Sequence, residues 1–201
     1  MALFEWMSES SGPVLHGPDI VLRPPRPADF REWADLRDVS RDYLQPWEPA
    51  WAEDDLTRPA FKRRLSIYQR EMDLGTAYPF FVVDARTGAL MGAITLSNIR
   101  RGVADMATLG YWIGQPFAGL GFGTQAVGTI LRFAFGPLQL HRVEAACVPT
   151  NLASRRVLEK SGFQHEGLAR AYLKINGLWA DHLLFGVLAS DIGDVDGADR
   201  V

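Results

Sequence analysis

The sequence predicts an α/β (α+β) protein in which short strands and amphipathic helices alternate along the chain. Three observations favour this fold class. The chain has 201 residues, 47% of them hydrophobic, which is enough for one domain with a full core. Runs with the alternating pattern of strands are interspersed with runs that have the helical pattern. A glycine-rich segment, residues 119–123, joins one such strand directly to one such helix.

No internal repeat and no linker-like stretch divides the chain. We therefore expect a single domain over residues 1–201, with its core over about 19–190. The segment 191–201 is rich in Asp and Gly, and we expect it to be a flexible tail.

The first half of the domain contains two predicted helices. Pro27 suits the first turn of one helix, and the prolines of LQPWEP (44–49) end it. Thr57 is a favoured N-cap residue for the second helix, which ends near Gly75. The predicted strands of this half are 19–24, 78–84, 90–98 and 108–114.

The second half contains two further predicted helices. The first follows the glycine-rich segment and stops at Gly136, which precedes a proline. The second begins at Asn151, a strong N-cap residue, and ends at Gly162. Phe163 is then placed to pack back on Leu158, as in a Schellman motif. The predicted strands of this half are 141–148 and two strands within 165–188 that turn at 176–177.

Composition argues against several functional classes. The formal net charge of −3 provides no electrostatic attraction to nucleic acid, so we expect no direct nucleic-acid binding. A single cysteine, Cys147, cannot form an internal disulfide, and the four histidines show no metal-ligand spacing. No apolar run is long enough to cross a bilayer, and the N-terminal residues lack the basic region of a secretory signal. We expect a cytoplasmic protein, either a monomer or a homodimer, with no membrane partner.

Residues 109–127, LGYWIGQPFAGLGFGTQAV, carry the strongest functional signal. The glycines at 119, 121 and 123 let backbone N–H groups approach an anion, and the helix that follows directs its positive dipole end there. A P-loop is excluded because no lysine precedes Thr124, and the spacing is not that of the dinucleotide motif. The segment therefore predicts a pyrophosphate site, with an ordinary strand-to-helix turn as the alternative.

Two local patterns resemble the GNAT superfamily of N-acetyltransferases. AGLGFGT (118–124) is similar to the acyl-CoA loop of that family, and NLASRRVLEKSGF (151–163) is similar to a later helix. LRPPRPAD, LQPWEP, LGYWIG and YLKINGLWADH extend the resemblance to the RimJ/RimL branch, the ribosomal-protein N-terminal acetyltransferases. The resemblance covers most of 19–190. It implies a mixed, largely antiparallel sheet of about seven strands, splayed between strands four and five and flanked by about four helices.

The resemblance also implies acetyl-CoA as cofactor, with no metal. The pantetheine arm would lie between 108–114 and 141–148, where a bulge near Trp112 and Ile113 frees an N–H for the carbonyl oxygen. Asn151 and Ser154 would face the same cleft. The N–H groups expected on the pyrophosphate are those of Leu120, Gly121, Phe122, Gly123 and Thr124. The chain departs from the family at Ala118, where relatives often carry Gln or Arg.

The catalytic groups are harder to assign. Leu158 occupies the position where many relatives carry a tyrosine general acid, so we predict that the hydroxyl of Ser154 replaces it. Relatives often have a glutamate at the position of Thr108, which leaves Glu144 as the candidate base. A water chain is the alternative to a dedicated base. A terminal α-amine has a pKa of about 8, so its ammonium form loses a proton readily near neutral pH. We expect His182 to be an ordinary hydrogen-bonding residue and Cys147 to be a buried residue that fills space in the core.

The predicted acceptor is the α-amine of a peptide or protein. Trp47 and Tyr172 are expected to hold it between the 44–49 loop and residues 170–180. Acidic residues within 48–55 suggest that basic residues near that terminus are accepted. Two alternatives remain at this point. One is a small-molecule amine, such as a polyamine or an antibiotic, and the other is a non-catalytic acyl-CoA-binding sensor.

Overall fold

The computed structural model describes residues 12–192. The residues before Gly12, and most of the predicted tail (193–201), lie outside the described residues. The α-helices are α1 (Phe30–Val39), α2 (Arg41–Leu44), α3 (Arg58–Asp73), α4 (Phe122–Phe135) and α5 (Leu152–Lys160). The strands are β1 (Leu15–His16), β2 (Ile20–Arg23), β3 (Tyr78–Asp84), β4 (Leu90–Arg100), β5 (Met106–Ile113), β6 (Arg142–Cys147), β7 (Gln164–Ile175) and β8 (Leu178–Leu188). Short 3-10 turns lie at Pro27–Asp29, Gln45–Trp47, Gln115–Phe117 and Ala189–Ile192.

The eight strands of residues 12–192 form one open sheet in the order β1-β2-β3-β4-β5-β6-β8-β7. Every neighbouring pair is antiparallel except β5 and β6, which are parallel. The prediction of a mixed, largely antiparallel sheet is confirmed. The strand beyond the seven predicted is β1, whose two residues are too few to show an alternating pattern. The additional helix arises because the chain breaks at Ser40 into α1 and α2.

Strands β5 and β6 pair only at their beginnings. Their register runs from Met106↔Arg142 to Leu109↔Ala145 and stops there. Beyond that point β5 continues with β4 alone, and β6 continues with β8 as far as Cys147. The sheet is therefore split, which confirms the predicted splay between these two strands.

The predicted bulge near Trp112 and Ile113 is wrong. The pairing of β4 with β5 is uninterrupted from Gly92↔Ile113 to Ser97↔Thr108, and the irregularity lies beyond Ser97 instead. The backbone groups on the open edge of β5 lose their partners because β6 diverges, so no extra residue is needed to free them.

Apolar side chains cover both faces of the sheet. Phe80 and Val82 belong to the larger core under α4 and α5, whereas Phe81 and Val83 belong to a smaller core. Phe61 of α3 belongs to that smaller core and packs against Trp33 of α1, with ring centroids 4.9 Å apart and the rings tilted by 36°. Burial on both faces explains why β3 is a nearly continuous apolar run rather than an alternating one.

Local signals at both ends of α5 hold this helix beside the split. Asn151 Oδ1 accepts a hydrogen bond from Ser154 N at 3.0 Å, so the predicted N-cap is confirmed. At the other end Phe163 N donates to Leu158 O, and Gly162, with φ of 87°, donates to Glu159 O. These two bonds form the predicted Schellman motif. Thr57 likewise caps α3 by accepting from Ala60 N.

Candidate active site

A cleft of about 650 Å³ opens where β5 and β6 diverge. One end, here called the glycine-loop end, is formed by residues 117–119 and 121–124 and by α5. The other, the hairpin end, lies between residues 43–49 and residues 173–175 of β7. The diverging strands line the stretch between the two ends, with Trp112 and Cys147 among the lining residues. The cleft thus connects the first turn of α4 to the tip of the β7–β8 hairpin.

The glycine-loop end presents unsatisfied backbone donors. Gly121 is the N-cap of α4 with φ of 89°, and no side chain caps that helix. Gly119 has φ of 76°, and a Cβ at either glycine would meet open space. Within the described chain, the N–H groups of 119–124 donate to no other residue. A row of free donors at a helix N-terminus suits a pyrophosphate, so the residues present fit the phosphate end of acetyl-CoA.

Most of the predicted cofactor residues line this cleft. They are Trp112, Ile113, Gly121, Phe122, Gly123, Thr124, Asn151 and Ser154. Leu120 does not line it, and its side chain is exposed, which leaves only its backbone N–H available. The structure adds Arg156 and Lys160 of α5, whose positive charges suit phosphate groups. Neither residue is among those predicted from the sequence to hold the cofactor.

The open edge of β5 offers hydrogen-bonding groups to the cleft. Gly114 N donates to Met91 O at 2.8 Å. Because an antiparallel ladder alternates, Trp112 also directs its backbone groups to β4, whereas Tyr111 and Ile113 direct theirs towards β6. Of the predicted pair, Ile113 therefore has its N–H on the cleft side.

Ser154 makes contacts that the sequence did not reveal. Its hydroxyl oxygen lies 2.9 Å from the phenol oxygen of Tyr111, and its carbonyl oxygen accepts from the same phenol at 3.2 Å. Burial raises the pKa of Tyr111 well above its usual range, so the phenol stays protonated. Cys147 is also buried beside the cleft, and burial raises the pKa of its thiol. A phenol from β5 thus stands next to the serine predicted as the acid.

Glu144 is not brought into the cleft. It pairs with Thr108 before the two strands diverge, and it is not among the cleft-lining residues. Its carboxylate accepts from Arg142 Nε at 3.0 Å, and Arg142 also pairs with Glu166 of β7. The proposed role as base is therefore corrected: Glu144 lies on the closed side of the split, in an ion-pair cluster.

His182 does line the cleft. The residue is only 2% exposed, and its Nδ1 lies 3.0 Å from the carbonyl oxygen of Ala180. Sequence reasoning regarded it as an ordinary hydrogen-bonding residue because nothing local distinguishes it. The one available signal was a histidine at a position of β8 where the strand pattern predicts an apolar residue.

The hairpin end is covered by a bridge between two loops. Asn176 N, at the hairpin tip, donates to Glu48 O at 2.8 Å, and Gln45 Nε2 donates to Asn176 Oδ1 at 3.3 Å. Trp47, from the same loop as Glu48, lines the cleft. Tyr172 is not among the cleft-lining residues, but its ring packs edge-on to His182 with centroids 5.8 Å apart.

Three of the four acidic residues within 48–55 are already paired. Glu48 bonds to Arg37 at 2.8 Å and also accepts from Trp51 Nε1 at 2.8 Å. The Arg37 guanidinium lies between the rings of Trp51 and Trp112. Asp54 and Asp55 pair with arginines of α3. These three carboxylates are therefore neutralised within the protein. Among the described residues of 48–55 only Glu53 has no ion pair, which weakens the argument that basic residues of the acceptor are preferred.

Two classes of site are not found in the described part of the chain. No cluster of three or more His, Cys, Asp and Glu side chains between residues 12 and 192 is arranged to hold a metal ion. None of the helices in that range is long and apolar enough to cross a membrane.

Comparison with known proteins agrees with this geometry. Residues 19–164 match the acetyltransferase (GNAT) domain. The chain is 36% identical over 178 residues to the probable N-acetyltransferase YjcK of Bacillus subtilis, covering 89% of this chain and 98% of that protein. It is 31% identical over 172 residues to the [ribosomal protein uS5]-alanine N-acetyltransferase of Escherichia coli, covering 86% and 89%.

Among solved structures, Mycobacterium smegmatis RimJ in complex with CoA-disulfide superposes with a TM-score of 0.84 at 33% identity, covering 90% of this chain and 88% of that chain. RimJ and RimL structures thus lie among the structural neighbours. The chain belongs to the GNAT family and is an acetyl-CoA-dependent N-acetyltransferase.

Proposed function

We propose that this N-acetyltransferase acetylates the N-terminal α-amine of a protein, with a ribosomal protein as its substrate. The observation that carries the proposal is the charge at the hairpin end. Among the cleft-lining residues of the described chain, Glu48 is the only carboxylate, and Arg37 already pairs with it. A polyamine or aminoglycoside carries several positive charges that would need free carboxylates. A peptide terminus brings one amine, which is neutral when it reacts.

The hairpin end also suits an extended peptide. Trp47 supplies a rigid aromatic surface at low entropic cost. Lys174 adds a positive charge on the opposite side, a further obstacle to a polycation. The E. coli relative at 31% identity carries the name of a uS5-alanine N-acetyltransferase, which supports a ribosomal acceptor. A ribosomal substrate also implies a cytoplasmic location.

The proposed roles of the residues follow from their places along the cleft. Bound acetyl-CoA supplies an activated acetyl thioester. The free N–H groups of 119–124, with Arg156 and Lys160, hold its phosphates. Ile113 N–H stabilises negative charge on the acetyl oxygen. The one phenol hydrogen of Tyr111 can bond to the carbonyl oxygen or to the hydroxyl of Ser154. When it bonds to the hydroxyl, the serine hydrogen is free to protonate the departing sulfur.

A matched set of acceptors tests the proposal. Thiol release from acetyl-CoA is measured with a lysine-free peptide beginning with Ala, the same peptide with a blocked N-terminus, spermidine and an aminoglycoside. We expect turnover of the free peptide only, with the added acetyl group located on the terminal residue by mass spectrometry. Rapid turnover of spermidine or the aminoglycoside without turnover of peptides would instead establish the small-molecule alternative.

A further inference from the structure

His182 occupies the strand next to the point where the sheet splits. Its neighbour Leu183 pairs with Cys147, the last residue of β6. His182 therefore lies one position beyond the end of β6, where β8 has lost its partner on that side. The residue is buried, yet it lines the cleft. A polar side chain is thus placed between the diverging strands and the covered hairpin end.

One hydrogen bond determines which ring nitrogen carries the hydrogen. Nδ1 lies 3.0 Å from the carbonyl oxygen of Ala180. A carbonyl oxygen only accepts, so Nδ1 must donate. In the neutral ring the lone pair then belongs to Nε2, which can accept a proton. The Ala180 carbonyl group of β8 thus selects the tautomer of the imidazole and orients the ring.

Nε2 is not sealed inside the protein. Among residues 12–192, the buried side-chain nitrogen and oxygen atoms without a hydrogen-bond partner are Arg37 Nε and Ser161 Oγ. Nε2 of His182 makes no hydrogen bond to a described residue and is not one of these sealed atoms. The space that the ring reaches is the cleft, so Nε2 is available to a group bound there.

We propose that His182 is the general base of the acetyl transfer. As the acceptor nitrogen forms its bond to the acetyl carbon and the carbon–sulfur bond breaks, Nε2 takes the proton that the nitrogen loses. The sulfur receives a proton from the Ser154 hydroxyl. The imidazolium then releases its proton to solvent, and Ser154 takes one back from solvent, so the net change is one proton moved from nitrogen to sulfur. No further reactant is needed. The proposal needs only a primary amine acceptor, and it therefore does not depend on whether that amine belongs to a peptide.

Among residues 12–192, no carboxylate without a partner lines the cleft beside the ring. Tyr172 of β7 packs edge-on to the ring. Glu48 is held by Arg37, and Asp181 accepts from Ala171 N. The other titratable or charged side chains that line the cleft are Tyr43, Tyr111, Cys147, Arg156, Lys160 and Lys174. None of those six carries a ring nitrogen with a lone pair, so His182 is the one imidazole among the described lining residues.

The test compares His182→Asn with His165→Asn. Asn keeps a donor near the position of Nδ1 and so preserves the bond to Ala180, but it offers no base. His165 is exposed on β7 and serves as the control. We expect His182→Asn to lower kcat by about 10²–10⁴-fold, as for a lost general base, with acetyl-CoA affinity nearly unchanged. The wild-type kcat should fall at low pH as the base is protonated, whereas the variant's rate should rise with pH without a plateau.

Two results would overturn the proposal. One is a folded His182→Asn enzyme with the wild-type kcat and pH profile. The other comes from the wild-type protein and does not depend on that variant folding. The His182 ring is titrated by NMR with acetyl-CoA bound, and its signal is assigned by elimination using variants of the other three histidines. The midpoint of this NMR titration must equal the midpoint of the fall in kcat at low pH. If peptides are refused, the same measurements are made with whichever amine is turned over.

Discussion

The hydroxyl oxygen of Ser154 lies 2.9 Å from the phenol oxygen of Tyr111, although the two residues are on different elements and 43 positions apart. Tyr111 stays protonated because burial raises its pKa, so it can donate to Ser154 throughout the neutral range. The pair occupies the α5 side of the cleft, where Leu158 supplies only an apolar side chain. A donor chain of two hydroxyls thus lies where a single tyrosine is expected in relatives.

Ser154→Ala should lower kcat by about 10²–10⁴-fold if its hydroxyl protonates the leaving sulfur. Tyr111→Phe keeps the ring and removes only the phenol hydrogen bond, so its effect on kcat should be smaller. Because the two hydroxyls act together, the double variant should be no slower than Ser154→Ala alone. Steady-state kinetics give kcat for each variant, and a binding titration gives its affinity for acetyl-CoA. If Ser154→Ala weakens binding but leaves kcat intact, the serine is a cofactor contact instead.

Gly121→Val should abolish most of the thermal stabilisation by acetyl-CoA. A β-branched side chain in the open space beside the free N–H groups blocks the approach of a pyrophosphate, and the positive φ strains the loop. Gly88→Val is the matched control, since Gly88 has φ of 77° and open space around it in the β3–β4 turn. Without ligand, the two substitutions should lower Tm by similar amounts. Equal stabilisation of the two by acetyl-CoA would contradict the assignment.

Trp47→Ala should raise KM for the peptide while leaving KM for acetyl-CoA nearly unchanged, because the ring lines the hairpin end only. Trp179→Ala is the control, since Trp179 is 67% exposed on β8 and does not line the cleft. Initial rates with each substrate varied in turn separate the two constants. A parallel rise in KM for acetyl-CoA would show that Trp47 acts on the whole cleft rather than on the acceptor.

Stability should depend on pH through Glu166. Its hydrogen bond to Arg142 lowers the pKa of the carboxyl in the folded protein. A lowered folded pKa means that the stabilisation is present above the unfolded value of about 4.3 and is lost as pH falls through the folded value. The pair is partly exposed, so the difference in unfolding free energy between wild type and Glu166→Gln should be no more than about 1 kcal/mol. Urea denaturation at pH 7 and near pH 3 measures it, and a difference that does not shrink in acid would refute the coupling.

Much of the local structure could be predicted from neighbouring residues. The caps at Thr57 and Asn151, the Schellman ending at Gly162 and the hairpin turn at 176–177 were predicted and are present. Each depends on a few consecutive residues whose backbone conformations and side-chain bonds are set by short-range chemistry. The glycine-rich segment belongs to this group, because the free N–H groups at the start of α4 follow from its own backbone.

The catalytic arrangement depended on distances between remote strands. Glu144 is a polar residue in an apolar strand. The sequence does not show whether it lies in the part of β6 that pairs with β5 or beyond the point where the two strands separate. Tyr111 reaches Ser154 only because α5 packs beside that split. His182 enters the cleft because β8, and not β7, pairs with β6.

The sequence by itself therefore determined the alternation of strands and helices, their caps and turns, and the loop suited to a pyrophosphate. The tertiary structure decided which polar groups share the cleft and which are tied up in ion pairs. The physical reason is range: caps and turns are fixed by contacts a few residues apart, whereas strand order and the length of the β5–β6 pairing depend on packing over the whole sheet.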